Sequence, residues 1–574
     1  LLLWRRLRWR LRQKVICNTK TPLPLAGLGV FYYLICVLVH AQCKRHQPIA
    51  PEGGLGKMQN GEMLSSMKKA MKRVIYGRTV IVVLCLLIQL ATLFVSFFYL
   101  EKYITFIFGS FTVLSLIVTI YLINSEQSPY YKLAWVIPVL VIPVFGTLFY
   151  LWVELQPGPK AIHKRVKQTT ERMWPDLAQN KDIADEISTL DAGEASFVHY
   201  MNRYANSAIY KNTKAAFFTS GEEKMAALLP ALESAKEFIF MEYFIVEYGL
   251  FWESVLVILK RKAAEGVEVR MMYDGSCEFA LLPHFYPAEL AKFGIKAKAF
   301  SPFSPVFSTH QNNRDHRKIC VIDGKIGITG GINLGDEYIN AVTVHGHWKD
   351  TAIMLEGDAV RGLTMLYLQL WSVREKQDDD YTAYLRDVPV QAKGYVMPYG
   401  DSPLDKESVG QQVYMDILNR AEQYVYIMTP YLIIDDQMQH ALTYAAKRGV
   451  DVRIIMPHVP DKPPVWYLGR TYYRHLVEAG VHVYEYTPGF VHAKIFVSDD
   501  KRATVGTVNL DYRSLYLHFE CGAYLFKTPV ISDILADYHE TLLQCEEVTV
   551  ETCKNIPVLQ RLFGRILRLF APLM

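Results

Sequence analysis

One short pattern occurs twice in the chain, and the two copies constrain its fold more than any other feature. Residues 316–323 read H-R-K-I-C-V-I-D and residues 492–499 read H-A-K-I-F-V-S-D. In each copy six residues separate the aspartate from a second element, Gly330-Gly331-Ile332-Asn333 in the first and Gly506-Thr507-Val508-Asn509 in the second. A strand sends residues i and i+2 to one face. Each copy is therefore expected to project His and Lys together, His316 with Lys318 and His492 with Lys494. Ile319 and Val321, or Ala493, Ile495 and Val497, are expected on the opposite, core side.

The surroundings of the two copies repeat as well. E-F-I-F-M-E-Y-F-I at 237–245 corresponds to Y-V-Y-I-M-T-P-Y-L-I at 424–433. K-A-A-E-G-V-E-V-R-M-M-Y-D-G at 262–275 corresponds to Y-A-A-K-R-G-V-D-V-R-I-I-M-P at 444–457. The shared A-x-x-G-V-x-V-R reads as a helix end, a glycine that stops it, and a buried strand. A repeat of this size is a duplicated α/β domain rather than an array of short units. We expect a first domain at 191–390 and a second at 391–574, after a polar linker at 154–190. The first copy carries extra residues after Phe300, in which Phe303, Pro305 and Phe307 are candidates for bilayer contact.

Composition separates the remaining N-terminal part. Of the 574 residues 51% are apolar and 13% aromatic, and the mean hydropathy is slightly positive. The apolar excess lies in three uncharged runs near 79–100, 104–123 and 133–153, each long enough to cross roughly 30 Å of hydrocarbon as a helix. Residues 63–153 thus read as a membrane anchor, with a weaker apolar stretch at 23–39. The basic residues Lys68, Lys69, Lys72, Arg73 and Arg78 precede the first run, and Lys160, Lys164, Arg165 and Lys167 follow the last. Both flanks carry the signature of a cytoplasmic side, which three crossings cannot satisfy together. Residues 1–62, beginning at Leu1 with an Arg-rich stretch, read as a leader or extension. A net charge of only +5 gives no nucleic-acid footprint. Nine scattered cysteines without C-x-x-C suit a reducing compartment without a disulfide frame. The sequence carries no signal for oligomeric state.

A histidine beside a lysine is a poor cation site and a good anion site, because the ammonium repels a metal ion and attracts a phosphoryl group. The full pattern, H-x-K-x4-D-x6-G-[GT]-x-N, resembles the phospholipase D superfamily, in which it also occurs twice. The stretches H-W-K-D-T-A at 347–352, G-V-H-V-Y-E-Y-T-P-G-F-V-H-A-K at 480–494 and D-Y-R-S-L-Y-L-H-F-E at 511–520 are similar to bacterial cardiolipin synthases. So is the apolar stretch at 131–154, and the resemblance spans roughly 79–574. The family usually has Asn where this chain has His518, and polar turn residues near 244–255 are partly replaced.

The resemblance implies a mixed sheet flanked by helices in each half and one active site shared between them. It implies that one histidine attacks a phosphodiester phosphorus while the other moves the proton, with His316 as nucleophile and His492 as acid–base. Their similarity leaves the opposite assignment open. It implies that Lys318, Lys494, Asn333 and Asn509 stabilise phosphoryl charge, with Gly331 and Thr507 in the phosphate-binding turns. Asp350 is implied to orient His492, and Glu520 to orient His316. Asp323 and Asp499 complete the signature and are expected to hold loop architecture. No metal or cofactor is required. The implied partners are phosphatidylglycerol and anionic membrane lipids, the implied location is a bacterial cell membrane with the catalytic part facing the cytoplasm, and no nucleic acid is expected.

Three functions compete at this level: a phosphatidyltransferase that makes cardiolipin, a phospholipase D-type hydrolase, and an inactive membrane scaffold. The C-terminal stretch at 556–574 spaces Arg561, Arg565 and Arg568 along a helix rich in Leu, Ile and Phe. It reads equally as an anionic-bilayer helix or as a helix docked on the catalytic part.

Overall fold

The computed structural model describes residues 104–573, apart from 127–128, 155–157, 302–312, 376–379 and 406. The expected leader, the apolar runs at 23–39 and 79–100, and Phe303, Pro305 and Phe307 lie outside the described residues. Two sheets form the body. The first contains β1 (Thr213–Phe218), β2 (Phe238–Tyr243), β3 (Glu268–Asp274), β4 (Lys296–Phe300), β5 (Ile319–Ile322), β6 (Ile326–Gly330) and β8 (Ala352–Gly357), in the order β1-β8-β6-β5-β2-β3-β4.

The second contains β9 (Tyr395–Asp401), β10 (Tyr424–Met428), β11 (Asp451–Pro457), β12 (His482–Tyr486), β14 (Ile495–Ser498), β15 (Arg502–Gly506), β16 (Glu520–Phe526) and β17 (Cys545–Val548). Its order, β9-β16-β15-β14-β10-β11-β12-β17, repeats that of the first sheet and adds one edge strand. In both sheets the strands after the first helical crossovers pair in parallel, β2 with β3 and β10 with β11, and the motif strands β5 and β14 pair antiparallel to them. The helix-to-strand turns repeat too. Gly266 and Gly449 both take positive φ, 91° and 95°, a conformation that a side chain would strain.

The strands are apolar on both faces because both are covered. Ile239, Met241, Cys320 and Ile322 point into the outer core of the first half. Phe240, Ile319 and Val321 point inward and meet Ile495, Val497, Ala503, Val505 and Leu525 of the second sheet in a shared layer. The two sheets therefore stack face to face. The short strands β7 (His347–Lys349) and β13 (Gly489–Val491) pair in parallel and tie the halves together. Beside them the buried ammonium of Lys349 donates to Asp537 of the other half at 2.7 Å.

The segment 154–190 is more than a linker. It forms helices Gly158–Leu177 and Lys181–Leu190, and Met173 and Leu177 join the inter-sheet core. The N-terminal run at 104–123 is the helix Ile104–Asn124. The run at 133–153 is not one straight helix but two, Pro129–Val141 and Pro143–Glu154. They fold back on each other, since Trp135 meets Tyr150 with ring centroids 5.4 Å apart. At the bend a Cβ on Gly146 would collide with the carbonyl of Pro138, so only glycine allows the close approach. Pro143 starts the second arm where its missing N–H costs nothing. Among the described residues no helix is long and apolar enough to cross a membrane. The part of the first helix with described side chains, 109–124, rises only about 24 Å. These three helices bury Val118, Leu122, Trp135, Val139, Tyr150 and Val153 among themselves and leave Ile117, Ile120, Leu140 and Val141 exposed.

Asp323 and Asp499 sit at the far ends of β5 and β14. Asp323 accepts the backbone N–H groups of Lys236, Glu237 and Phe238 at 2.8–2.9 Å. Asp499 accepts those of Glu422, Gln423 and Tyr424 at 2.8–2.9 Å. Each carboxylate clamps the start of the neighbouring strand. Asp499→Ala leaves three donors without an acceptor, and we expect a loss of about 2–4 kcal/mol in denaturant unfolding. Turnover per folded molecule should survive it far better than loss of either motif histidine.

Candidate active site

The His-x-Lys segments lie just before β5 and β14, in extended lead-ins rather than in the strands themselves. They stand beyond the C-terminal ends of the parallel strands, because Ile319 pairs with Glu242 at the end of β2 and Ile495 with Met428 at the end of β10. Ligand crevices in open α/β sheets lie at this edge. Both lead-ins are fixed by backbone bonds to the other half. The N–H of His316 donates to the carbonyl of Phe519 at 2.9 Å, and that of His492 to the carbonyl of Lys349 at 2.6 Å. The accepting residues immediately precede Glu520 and Asp350.

Those two carboxylates engage the imidazoles. His316 Nδ1 lies 2.9 Å from both oxygens of Glu520, and His492 Nδ1 lies 2.7 Å from Asp350 Oδ2. An ionised carboxylate can only accept, so each Nδ1 carries the proton and each Nε2 keeps its lone pair. All four side chains are buried. Phe244 packs edge-on against the His316 ring at 4.9 Å, and Trp348 lies 5.2 Å from the His492 ring.

The lysines complete a dense charge cluster. Lys318 Nζ donates to the His316 carbonyl at 2.6 Å, and Lys494 Nζ likewise to the His492 carbonyl. Burial lowers Lys318 to about 8, against the pull of Glu520 and Asp350. It lowers Lys494 to about 7, where Asp350 and Glu520 oppose it and Lys318 adds to it. Burial, aided by Lys494, pulls His492 down to about 4 against Asp350. Burial likewise holds His316 well below the usual imidazole range, with Glu520 opposing and Lys318 and His518 assisting. Burial alone would raise Glu520, but His316 and His518 outweigh it and keep its carboxyl far below the usual range. At neutral pH the site holds two neutral imidazoles, each against a carboxylate, and lysines poised near their titration range.

The turn residues serve the carboxylates rather than an open cradle. The N–H of Gly331 is spent on the carbonyl of Thr351 at 2.9 Å, and a Cβ there would strike Asp350. Thr507 stands in the equivalent place; its hydroxyl donates to Glu520, and its N–H bonds the carbonyl of Cys521. Both backbone donors are thus engaged within the fold. Asn333 is committed too, accepting from the N–H of Ile245 at 3.0 Å and donating to the hydroxyl of Tyr338 at 2.8 Å. Asn509 differs, since its buried amide oxygen has no partner among the described residues.

His518, visible in the sequence only as a departure from the family pattern, also enters the site. Its ring centroid lies 5.4 Å from that of His316. Its Nδ1 is 3.7 Å from Glu520 Oε1 and makes no hydrogen bond among the described residues. Among the described residues His316, His518 and Glu520 form a group with metal-type ligand atoms within 4.8 Å of one another. The Lys318 ammonium beside His316 opposes a divalent ion there. Sequence reading missed the backbone carbonyls of Phe519 and Lys349 and the Thr507–Glu520 bond, because no side-chain pattern marks them. The apolar residues that follow the two second-half segments nearest the site, Leu432, Ile433, Ile434, Tyr512 and Leu515, are buried inside the second half.

Comparison with known proteins agrees with this architecture. The family described as Cardiolipin synthase, PLD-like domain matches residues 228–343 and 414–542, and the family described as Phospholipase_D-nuclease N-terminal matches 113–153. An uncharacterized protein of Streptococcus mutans is 47% identical over 79% of this chain and 99% of its own length. A cardiolipin synthase of Alkalihalophilus pseudofirmus is 33% identical over 81% of this chain and 93% of its own. One of Halalkalibacterium halodurans is 32% identical over 82% and 94%. The crystal structure of a phosphatidylserine synthase from Haemophilus influenzae shares the fold, with a TM-score of 0.51 and 14% identity over 67% of this chain and 98% of that one. Similarity over 81–82% of this chain, with both motifs in one buried site, means that the protein belongs to the cardiolipin synthase family and is an enzyme of the phospholipase D type.

Proposed function

We propose that this enzyme is a membrane-associated phosphatidyltransferase that condenses two phosphatidylglycerol molecules into cardiolipin and releases glycerol. The observation that carries the reading is the reciprocal hold on two buried imidazoles, His316 by Glu520 and His492 by Asp350. With each Nδ1 engaged, each Nε2 is the atom free to react. His316 Nε2 attacks the phosphorus of the first phosphatidylglycerol, and the bond from phosphorus to the headgroup glycerol breaks. His492 supplies the proton to the departing alkoxide, and a phosphatidyl–histidine remains. His492 then takes the proton from a hydroxyl of the second phosphatidylglycerol, whose oxygen attacks phosphorus and frees His316. Glu520 meets the His316 ring with both oxygens, which suits it to the positive charge of a phosphorylated imidazole.

Lys318 and Lys494 supply the positive charge that meets the phosphoryl group, and the side-chain N–H donors of Asn333 and Asn509 are the amide groups able to bond its oxygens. The incoming phosphodiester is an anion, and its charge raises the proton affinity of His492 as it binds. Burial of both histidines and both lysines supports transfer to an alcohol over loss to water. The outward-facing apolar side chains of the N-terminal helices support a bilayer location. The basic residues that follow the last apolar run, Lys160, Lys164, Arg165 and Lys167, favour a cytoplasmic catalytic part by the positive-inside rule.

Purified protein given phosphatidylglycerol in mixed micelles should form cardiolipin and glycerol, read by lipid chromatography. Phosphatidic acid as the main product would mark a hydrolase instead, and no product from any phospholipid would contradict both. His316→Ala and His492→Ala should each lower kcat by at least roughly 10²-fold with the thermal midpoint little changed.

The pH dependence follows from the buried charges. The lysine charges are present below about 7 for Lys494 and about 8 for Lys318, and are lost above. Nucleophilic His316 is neutral until the pH falls well below the usual imidazole range. The free enzyme protonates His492 only below about 4, so kcat/KM should decline above that pH, more steeply once the lysines lose their charge across pH 7–8, and should fall on the acid side only in strongly acidic buffer. A profile still rising between pH 7 and 9 would contradict these assignments.

A further inference from the structure

The helix Val558–Arg568 is docked with the wrong face outward for a soluble protein. Gly564 is its buried point, set against the Tyr467 carbonyl and Thr471 of the helix Pro463–Glu478, where any Cβ would collide. Leu567 packs on the second-half core, and Arg568 lies over the Tyr472 ring at 4.4 Å. The side chains left in the open are Val558, Leu559, Leu562, Phe563, Ile566 and, just beyond the helix, Leu569 and Phe570; Leu559 is 80% exposed. An apolar stripe of this kind on a fixed helix marks an interaction surface rather than scattered surface residues.

Its neighbourhood names the occupant. The C-terminal turn Ala571–Leu573 packs against the helix Pro129–Val141, which itself exposes Leu133, Ile137, Leu140 and Val141. The apolar stripe thus joins the outward apolar surface of the N-terminal helices. Arg565 stands exposed among the apolar residues with no ion pair among the described residues. A second copy of the chain fits this face poorly, because the helix Val558–Arg568 carries no acidic residue that could pair with Arg565 across a self-complementary contact. An anionic lipid surface satisfies both features, since it takes apolar side chains at the acyl boundary and cations at the headgroups.

We propose that the helix Val558–Arg568 lies in the interface of an anionic bilayer, beside the N-terminal helices, and sets the height of the catalytic body above the membrane. The proposal rests on the lipid-transferring reading, yet it can fail separately. The test uses full-length protein reconstituted into vesicles of phosphatidylglycerol and phosphatidylcholine. Nitroxide labels are placed at Leu562→Cys and Ile566→Cys, with Glu546→Cys as a water-facing control, in a background lacking the reactive native cysteines. The labels at 562 and 566 should collide more with oxygen than with a water-soluble nickel chelate, and the control should do the reverse.

In parallel, the triple variant Leu562→Ser, Phe563→Ser, Ile566→Ser should lose roughly tenfold or more activity on those vesicles, in line with interfacial binding that scales with buried apolar area. On short-chain phosphatidylglycerol below its micelle concentration it should stay within about twofold of wild type. Water-accessible labels on vesicles overturn the proposal, as does protection that appears only with cross-linked dimers. If the wild type shows no transfer activity at all, the functional reading fails while the depth measurement still decides the placement of the helix.

Discussion

Everything at this site depends on one reciprocal arrangement: each half of the chain supplies an imidazole and receives from the other half the carboxylate that orients it. Glu520 of the second half holds His316 of the first, and Asp350 of the first holds His492 of the second. The backbone repeats the exchange, with the N–H of each histidine bonded to the carbonyl just before the opposite carboxylate. Neither half orients its own histidine, so the duplicated fold is a condition of the chemistry. The stacked sheets, the shared apolar layer between them, the β7–β13 pair and the buried Lys349–Asp537 contact all maintain that register. Breaking a buried pair such as the last by removing one partner typically costs about 3–5 kcal/mol, which indicates how firmly the halves are joined.

The electrostatic consequence is a site prepared for an anion. Two lysines and two histidines are buried beside Glu520 and Asp350, and burial depresses the lysines and keeps the imidazoles neutral. A phosphodiester entering this cluster supplies the missing negative charge and stabilises the protonated forms that proton transfer needs. Preorganised charge of this kind, assembled before substrate arrives, is the usual source of large electrostatic effects in catalysis. His518 adds a second ring beside Glu520, with its Nδ1 3.7 Å from Oε1.

Much of the architecture is legible in the sequence because it repeats. The A-x-x-G-V-x-V-R pattern marks the same helix end and buried strand in both halves, and the paired motifs mark where the halves must meet. The rest is not legible, for physical reasons. No local spacing ties residue 350 to 492 or 520 to 316; those pairings are set by the packing of distant strands, and only resemblance suggests them. Gly331 and Thr507 look like phosphate-turn residues, but their backbone donors are consumed by sheet bonds that sequence pattern cannot reveal. The run at 133–153 is long enough for one span by composition, yet Pro143 and Gly146 permit a tight bend that hydropathy alone does not register. The polar segment at 154–190 reads as a linker because only a few of its residues, among them Met173 and Leu177, are buried.

The central claim is that two histidines, each held by the opposite half, divide nucleophile and proton carrier between them. The most direct measurement is acid quenching of the enzyme during turnover of phosphatidylglycerol, followed by peptide mass spectrometry under conditions that preserve phosphoramidates. The account predicts a phosphatidyl adduct on the peptide containing His316, accumulating further when Asp350→Asn weakens the proton-carrying partner. An adduct confined to His492, or rapid turnover with no adduct on either histidine, would contradict it.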